Sequence, residues 1–247
     1  MIARVLLAAI FAGALSGVFA FAAQSYRVIP LILEAETYEN AAGGASAGHQ
    51  DQAQTVAGAH AHEQAGQGHS HEHEMEAWAP ADGGERSGYT LLADVVAGIA
   101  FSLILTAGIL AANRAISLQS GLVWGASGFV AFVLAPNLGL PPELPGMPAG
   151  DLVARQVWWI ATVALTAGGL WLFAFRRGLA WMLLGVALIV APHVWGAPQP
   201  ESHGSAVPAA LAAQFAIATV VTSALFWLAL GGLLGHLLGR AVREPAA

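Results

Sequence analysis

Cysteine and lysine are both missing from the 247 residues. Without thiols the chain forms no disulfide and offers no thiolate, which excludes iron–sulfur clusters, Cys-type zinc fingers and thiolate copper sites. Without lysine there is no Walker-type phosphate loop, so nucleotide is not hydrolysed through one. A paired-histidine HExxH protease helix is lacking as well, and no enzymatic activity is expected. Charge is sparse: charged residues make up 10%, all nine basic residues are arginine, and the net charge of −6 gives no reason to expect nucleic acid as a partner.

What is abundant is apolar. A hydrophobic content of 57% with 29 glycines describes a polytopic membrane protein rather than a soluble core. Six stretches, near 4–23, 91–112, 121–138, 153–175, 179–195 and 209–238, compare with the roughly 20 residues a helix needs to cross the hydrocarbon. The third and fifth are short and the sixth is long, which suits tilted or partly exposed helices. The sequence therefore predicts an all-α integral membrane protein with about six transmembrane helices. Its parts are a first transmembrane helix at 1–24, an extracytoplasmic loop at 25–90 and a five-helix bundle at 91–247. An N-in/C-in arrangement in the bacterial inner (plasma) membrane puts Arg4, Arg114, Arg176, Arg177, Arg240 and Arg243 inside and only Arg27, Arg86 and Arg155 outside. Basic residues favour the cytoplasm, so this arrangement is preferred. Arg4 before an apolar run ending in Ala20-Phe21-Ala22-Ala23 also fits a cleaved signal peptide. Against that, Ala9, Gly13 and Gly17 form a stripe of small residues that lets helices pack closely in lipid, as do Gly231, Gly235 and Gly239 on the last span.

The loop between the first two spans carries His49, His60, His62, His69, His71 and His73, six of the nine histidines, beside Glu63, Glu72, Glu74 and Glu76. Imidazole suits zinc, nickel, copper and cobalt. Histidines two apart share one side of an extended chain, and His69 and His73 share one side of a helix, so either conformation offers two or more imidazoles to one ion. The same composition describes a disordered low-complexity tether. Ordering such a loop around an ion costs backbone entropy, which predicts capture and buffering rather than one tight site. Neutral imidazole is the ligand, so capture should fade below about pH 6.

Polar residues gather at the outer ends of the spans: Gln24, Glu34, Glu36, Asn137, Glu143, Asp151, Arg155, Gln156, His193 and Gln214. Such residues are costly in lipid and usually face a bundle interior or a watery cavity. His193 follows Pro192, which loosens a helical turn and frees carbonyls beside an imidazole. That makes it a candidate way station for a cation, with Glu34 and Glu36 as further metal candidates. A helix-end histidine bonded to its neighbours is the competing reading. Asp94 is expected to pair with Arg86 or Arg155, or to start a helix. His236 reads as a helix C-terminal partner, and Trp78, Trp158, Trp159 and Trp195 as interfacial belt residues. A weak repeat joins Leu134-Ala135-Pro136-Asn137 with Val190-Ala191-Pro192-His193, as in parallel-repeat transporters.

Several segments carry a resemblance: Pro30-Leu31-Ile32-Leu33-Glu34-Ala35-Glu36, Gly84-Glu85-Arg86, the run from Leu134 to Gly146, Ala154-Arg155-Gln156-Val157-Trp158-Trp159, and Ala191-Pro192-His193. Together they resemble the CbtA family of probable cobalt transporter subunits. The resemblance implies a membrane component of a Co²⁺ uptake system linked to cobalamin synthesis. It also implies a partner, CbtB, a small single-span subunit with a histidine-rich end. Cobalt is then cargo, with no resident cofactor, and no site residue is implied. Two alternatives stand beside it: a nickel or zinc permease, and a non-transporting accessory or scaffold that buffers metal.

Overall fold

The structure, a computed structural model, describes residues 2–52, 80–202 and 204–243, with side-chain surroundings described for 2–41, 80–202 and 204–241. Regular structure among the described residues is helical throughout: α1 (Ile2–Arg27), α2 (Ile29–Gln52), α3 (Gly84–Ala112), α4 (Leu118–Asn137), α5 (Leu152–Phe175), α6 (Leu179–Trp195) and α7 (Ala209–Arg243). Five of these, α1, α3, α4, α5 and α7, are long and apolar enough to cross a membrane. With 17 residues α6 is the shorter sixth, about 26 Å long at 1.5 Å per residue.

Two boundaries differ from the hydropathy reading. In the segment expected to be loop from residue 25, α1 runs on to Arg27 and α2 follows from Ile29, and α3 starts at Gly84 rather than near 91. In α2, Pro30 stands in the first turn, where its missing N–H breaks no helical bond. Ala35 is completely buried in a cluster with Val28, Leu144, Val207, Leu211 and Phe215, so a polar-looking helix is held by one apolar edge. The polar start of α3 is fastened by Arg86, whose guanidinium forks onto both carboxylate oxygens of Glu36 on α2 and also reaches Asp82 at 3.2 Å. Hydropathy windows are blind to such polar turns.

Packing is organised by small residues. Helix α1 lies against α3 and α7, α4 lies against α7, and α5 pairs with α6. A Cβ added to Gly13 would overlap the backbone of Gly98 and Ile99, and one added to Gly121 or Gly125 would overlap the backbone of α7 at Gly231 or Trp227. Lipid tails are as apolar as leucine, so close backbone packing, rather than hydrophobic exclusion, drives helices together here. Both small-residue stripes expected from sequence, through Gly13 and Gly17 and through Gly231 and Gly235, are therefore packing seams. Around them Val5, Ala9, Ala12, Leu105, Ile109, Trp227, Leu230 and Leu234 form the core.

Near its C-terminal end α4 is widened over Val130–Leu134, where Ala135 N–H bonds to the Val130 carbonyl five residues back. Pro136 explains the widening: it cannot donate to the Phe132 carbonyl, and its ring crowds that group. Asp151 caps α5, its Oδ1 accepting from Ala154 N–H at 2.8 Å.

Candidate functional site

At one end of the bundle the close of α4, the segment 138–151 and the start of α5 border an open cavity of about 570 Å³. Its polar wall is Asn137, Glu143, Arg155 and Gln156, with Trp159 beside them. Arg155 Nη2 donates to Glu143 Oε2 at 2.7 Å, so neither charge faces the cavity alone.

Farther along the helices, α1, α3, α4 and α7 surround a second cavity of about 180 Å³. Gln24, Asp94, Thr222 and Ser223 supply its polar side; Phe101, Phe132, Phe226 and Trp227 supply the other. Gln24 Nε2 donates to Asp94 Oδ1 at 3.1 Å, while Asp94 Oδ2 is buried with no hydrogen-bond partner. Beyond this carboxylate the aromatic rings close on each other, with the Phe132 and Trp227 rings stacked at 5.4 Å and Phe101 at 4.9 Å from Trp227. A third cavity, of about 300 Å³ between α3, α4 and α5, offers one hydroxyl, Ser127, among apolar side chains such as Leu105, Trp124 and Trp171. It suits a hydrocarbon chain rather than an ion.

His193 joins two helices. Its Nδ1 lies 3.1 Å from the Ile189 carbonyl and its Nε2 lies 3.0 Å from the Ala135 carbonyl on α4. The two proline motifs recognised in the sequence thus end side by side. Trp158 was expected at the interface, but it is 2% exposed and its Nε1 donates to the Pro192 carbonyl at 3.0 Å. Gly139 makes room for that indole, since a Cβ there would overlap it. Trp195 is exposed, in keeping with a belt position; Trp78 lies outside the described residues.

Of the other candidate ligands, Glu36 is held in the fork of Arg86 and Glu34 is exposed, its carbonyl accepting from Thr37 Oγ1 at 2.7 Å. His49 falls on α2 with its side chain outside the described surroundings, and His60, His62, His69, His71 and His73 lie outside the described residues. Among the described residues no three His, Asp or Glu side chains stand together as a group able to hold a metal. An ion in this part of the bundle would therefore keep waters or use neutral oxygens. His236 accepts at 3.3 Å from Arg240 one turn on, which fits its reading as a helix-end partner.

The residue undervalued in the sequence is Asp94. Both arginines expected to neutralise it are committed elsewhere, Arg86 to Glu36 and Arg155 to Glu143. The signal was present as an acidic residue inside an apolar span, which is costly in lipid and marks a position to test for function.

A family model described as "Probable cobalt transporter subunit (CbtA)" matches residues 2–239. No match is found among curated proteins or among solved structures.

Proposed function

The chain belongs to the CbtA family of probable cobalt transporter subunits, and from that premise we propose that it forms the membrane pathway of a Co²⁺ uptake transporter, beside a CbtB-like single-span subunit. The observation that carries this reading is the extent of the match: residues 2–239 take in all five membrane-length helices, the last almost to its end, and the polar end of the bundle. In the N-in/C-in orientation favoured by the arginines, that end faces outward. The histidine loop then raises the local metal concentration at the mouth, and the cavity walled by Asn137, Glu143, Arg155 and Gln156 receives the ion. His193 serves the route by position, holding the proline ends of α4 and α6 together.

Nucleotide is not needed for accumulation. Each charge gains about 2.3 kcal/mol per 100 mV of inside-negative potential, so a divalent ion gains about 4.6 kcal/mol. That supports a gradient on the order of a thousandfold.

A nickel or zinc permease is the second reading, favoured by the six histidines between the first two spans. Imidazole itself binds nickel and copper more tightly than cobalt. The test is radioactive cobalt uptake by cells expressing the chain with and without the small partner, with nickel and zinc as competitors. Uptake that needs this chain and resists a tenfold excess of nickel or zinc supports the cobalt reading; displacement by nickel or zinc assigns the other metal. Uptake that persists without the chain makes it an accessory.

A further inference from the structure

Asp94 presents a chemical problem that the rest of the bundle does not solve. A carboxylate in an apolar span is costly unless a counter-charge or hydrogen bonds replace its water. Gln24 satisfies one oxygen, at 3.1 Å, and the other is buried without a donor. Among the described residues no basic side chain lines the cavity it faces. The remaining polar lining is made of groups with oxygen lone pairs to spare. Gln24 uses its amide N–H on Asp94, which leaves its amide oxygen to accept; Thr222 donates its hydroxyl proton to the Ala218 carbonyl at 2.8 Å, which leaves its lone pairs free; and Ser223 adds a hydroxyl. A volume of about 180 Å³ has room for a small ion with several waters, each occupying about 30 Å³ in the liquid.

We propose that this cavity is a divalent-cation site on the transport route, with Asp94 as its one anionic ligand and Gln24, Thr222, Ser223 and retained waters completing an all-oxygen shell. The proposal rests on the uptake reading and names its intramembrane site. One carboxylate and neutral oxygens hold a divalent ion weakly, as transit requires: firm enough to enter, loose enough to leave. Oxygen ligands do not discriminate strongly among divalent ions, so selection falls to other parts of the assembly. The rings of Phe101, Phe132 and Trp227, packed on one another, form the apolar wall of this cavity.

Asp94→Asn separates a ligand from a merely structural group, because it keeps the side-chain volume and the bond from Gln24 while removing the charge. Equilibrium binding of Co²⁺ is measured on the purified full chain with His49, His60, His62, His69, His71 and His73 all changed to alanine, which clears the loop background. The expected result is one bound ion per chain, lost in Asp94→Asn and kept in Asp94→Glu. Equal binding with and without the Asn change overturns the site. In cobalt uptake the Asn change, made in the otherwise unaltered chain, is expected to lower the initial rate at least fivefold at equal membrane abundance, and a smaller loss overturns its place on the route. If the unaltered chain takes up no cobalt, the uptake reading fails, while the binding measurement still decides the site.

Discussion

The Nε2 atom of His193 lies 3.0 Å from the carbonyl oxygen of Ala135, joining the proline-bearing ends of α6 and α4. Nδ1 of the same ring lies 3.1 Å from the Ile189 carbonyl, and Trp158 stands edge-on with ring centres 5.8 Å apart. A neutral imidazole carries one N–H and donates to one of these carbonyls; an imidazolium donates to both. His193→Ala removes the ring's bond to the Ala135 carbonyl, which keeps only the Leu138 N–H at 3.2 Å, and is expected to cost about 0.5–1.5 kcal/mol. Thermal unfolding in detergent reads this as a lower midpoint, partly recovered in His193→Gln, which still donates one bond. An unchanged midpoint in the alanine variant contradicts the tether.

Glu143 and Arg155 neutralise each other at 2.7 Å on the wall of the cavity between α4 and α5. Removing one partner should act on a cation through the charge left behind. Glu143→Gln exposes a guanidinium at the mouth and is expected to lower cobalt uptake at limiting concentration threefold or more. Arg155→Gln frees a carboxylate and should leave uptake equal or higher. The double substitution should return close to the parent rate, and a double-mutant cycle on initial rates checks all three directions.

Glycine separates seams from surfaces. A side chain at Gly231 meets the Gly121 carbonyl and the Gly125 backbone, which cannot yield unless α4 and α7 part. Gly231→Val is expected to cost about 3 kcal/mol or more, the upper range for overpacking, and to reduce folded protein in the membrane. A Cβ added to Gly88, inside α3, would meet nothing within 4 Å. Gly88→Ala should raise stability by about 0.5–1 kcal/mol by restricting the unfolded chain and favouring helix. Unfolding midpoints of the two variants should move in opposite directions.

The loop histidines make capture depend on pH. Metal needs neutral imidazole, and free histidine titrates near about 6.5, so protons compete increasingly below that value. Cobalt binding to the full chain is expected to be strong at pH 7.5 and much weaker at pH 5, and the loss between the two is expected to shrink once the six loop histidines are alanine. Isothermal titration at the two pH values, with and without the substitutions, checks the sign.

Long apolar runs announced the helical bundle, because length and hydrophobicity alone decide what crosses a bilayer. Stripes at Gly13 and Gly231 announced two faces, though the partners Gly98, Gly121 and Gly125 needed the structure, since sequence spacing says which residues share a face and not what meets it. Helix α2 escaped hydropathy because its hold is a single buried edge at Ala35 and an ion pair to Arg86. At the candidate site, His193 and the outer polar residues were legible as chemistry but not as contacts. Asp94 was assigned to arginines that the fold places against other carboxylates, a pairing decided by tertiary geometry. Trp158 shows the same limit from the apolar side: an aromatic near a helix end looks interfacial until a neighbour such as Gly139 makes room to bury it.

The most direct measurement is cobalt accumulation in proteoliposomes holding the purified chain, with and without the small partner, under an imposed inside-negative potential. Accumulation is expected to rise with the potential, by roughly a thousandfold per 100 mV at equilibrium for a divalent ion, and its initial rate to fall at least fivefold in Asp94→Asn. Vesicles that bind cobalt at their surface yet hold none inside, at any potential and with the partner present, would contradict a transport pathway through this bundle.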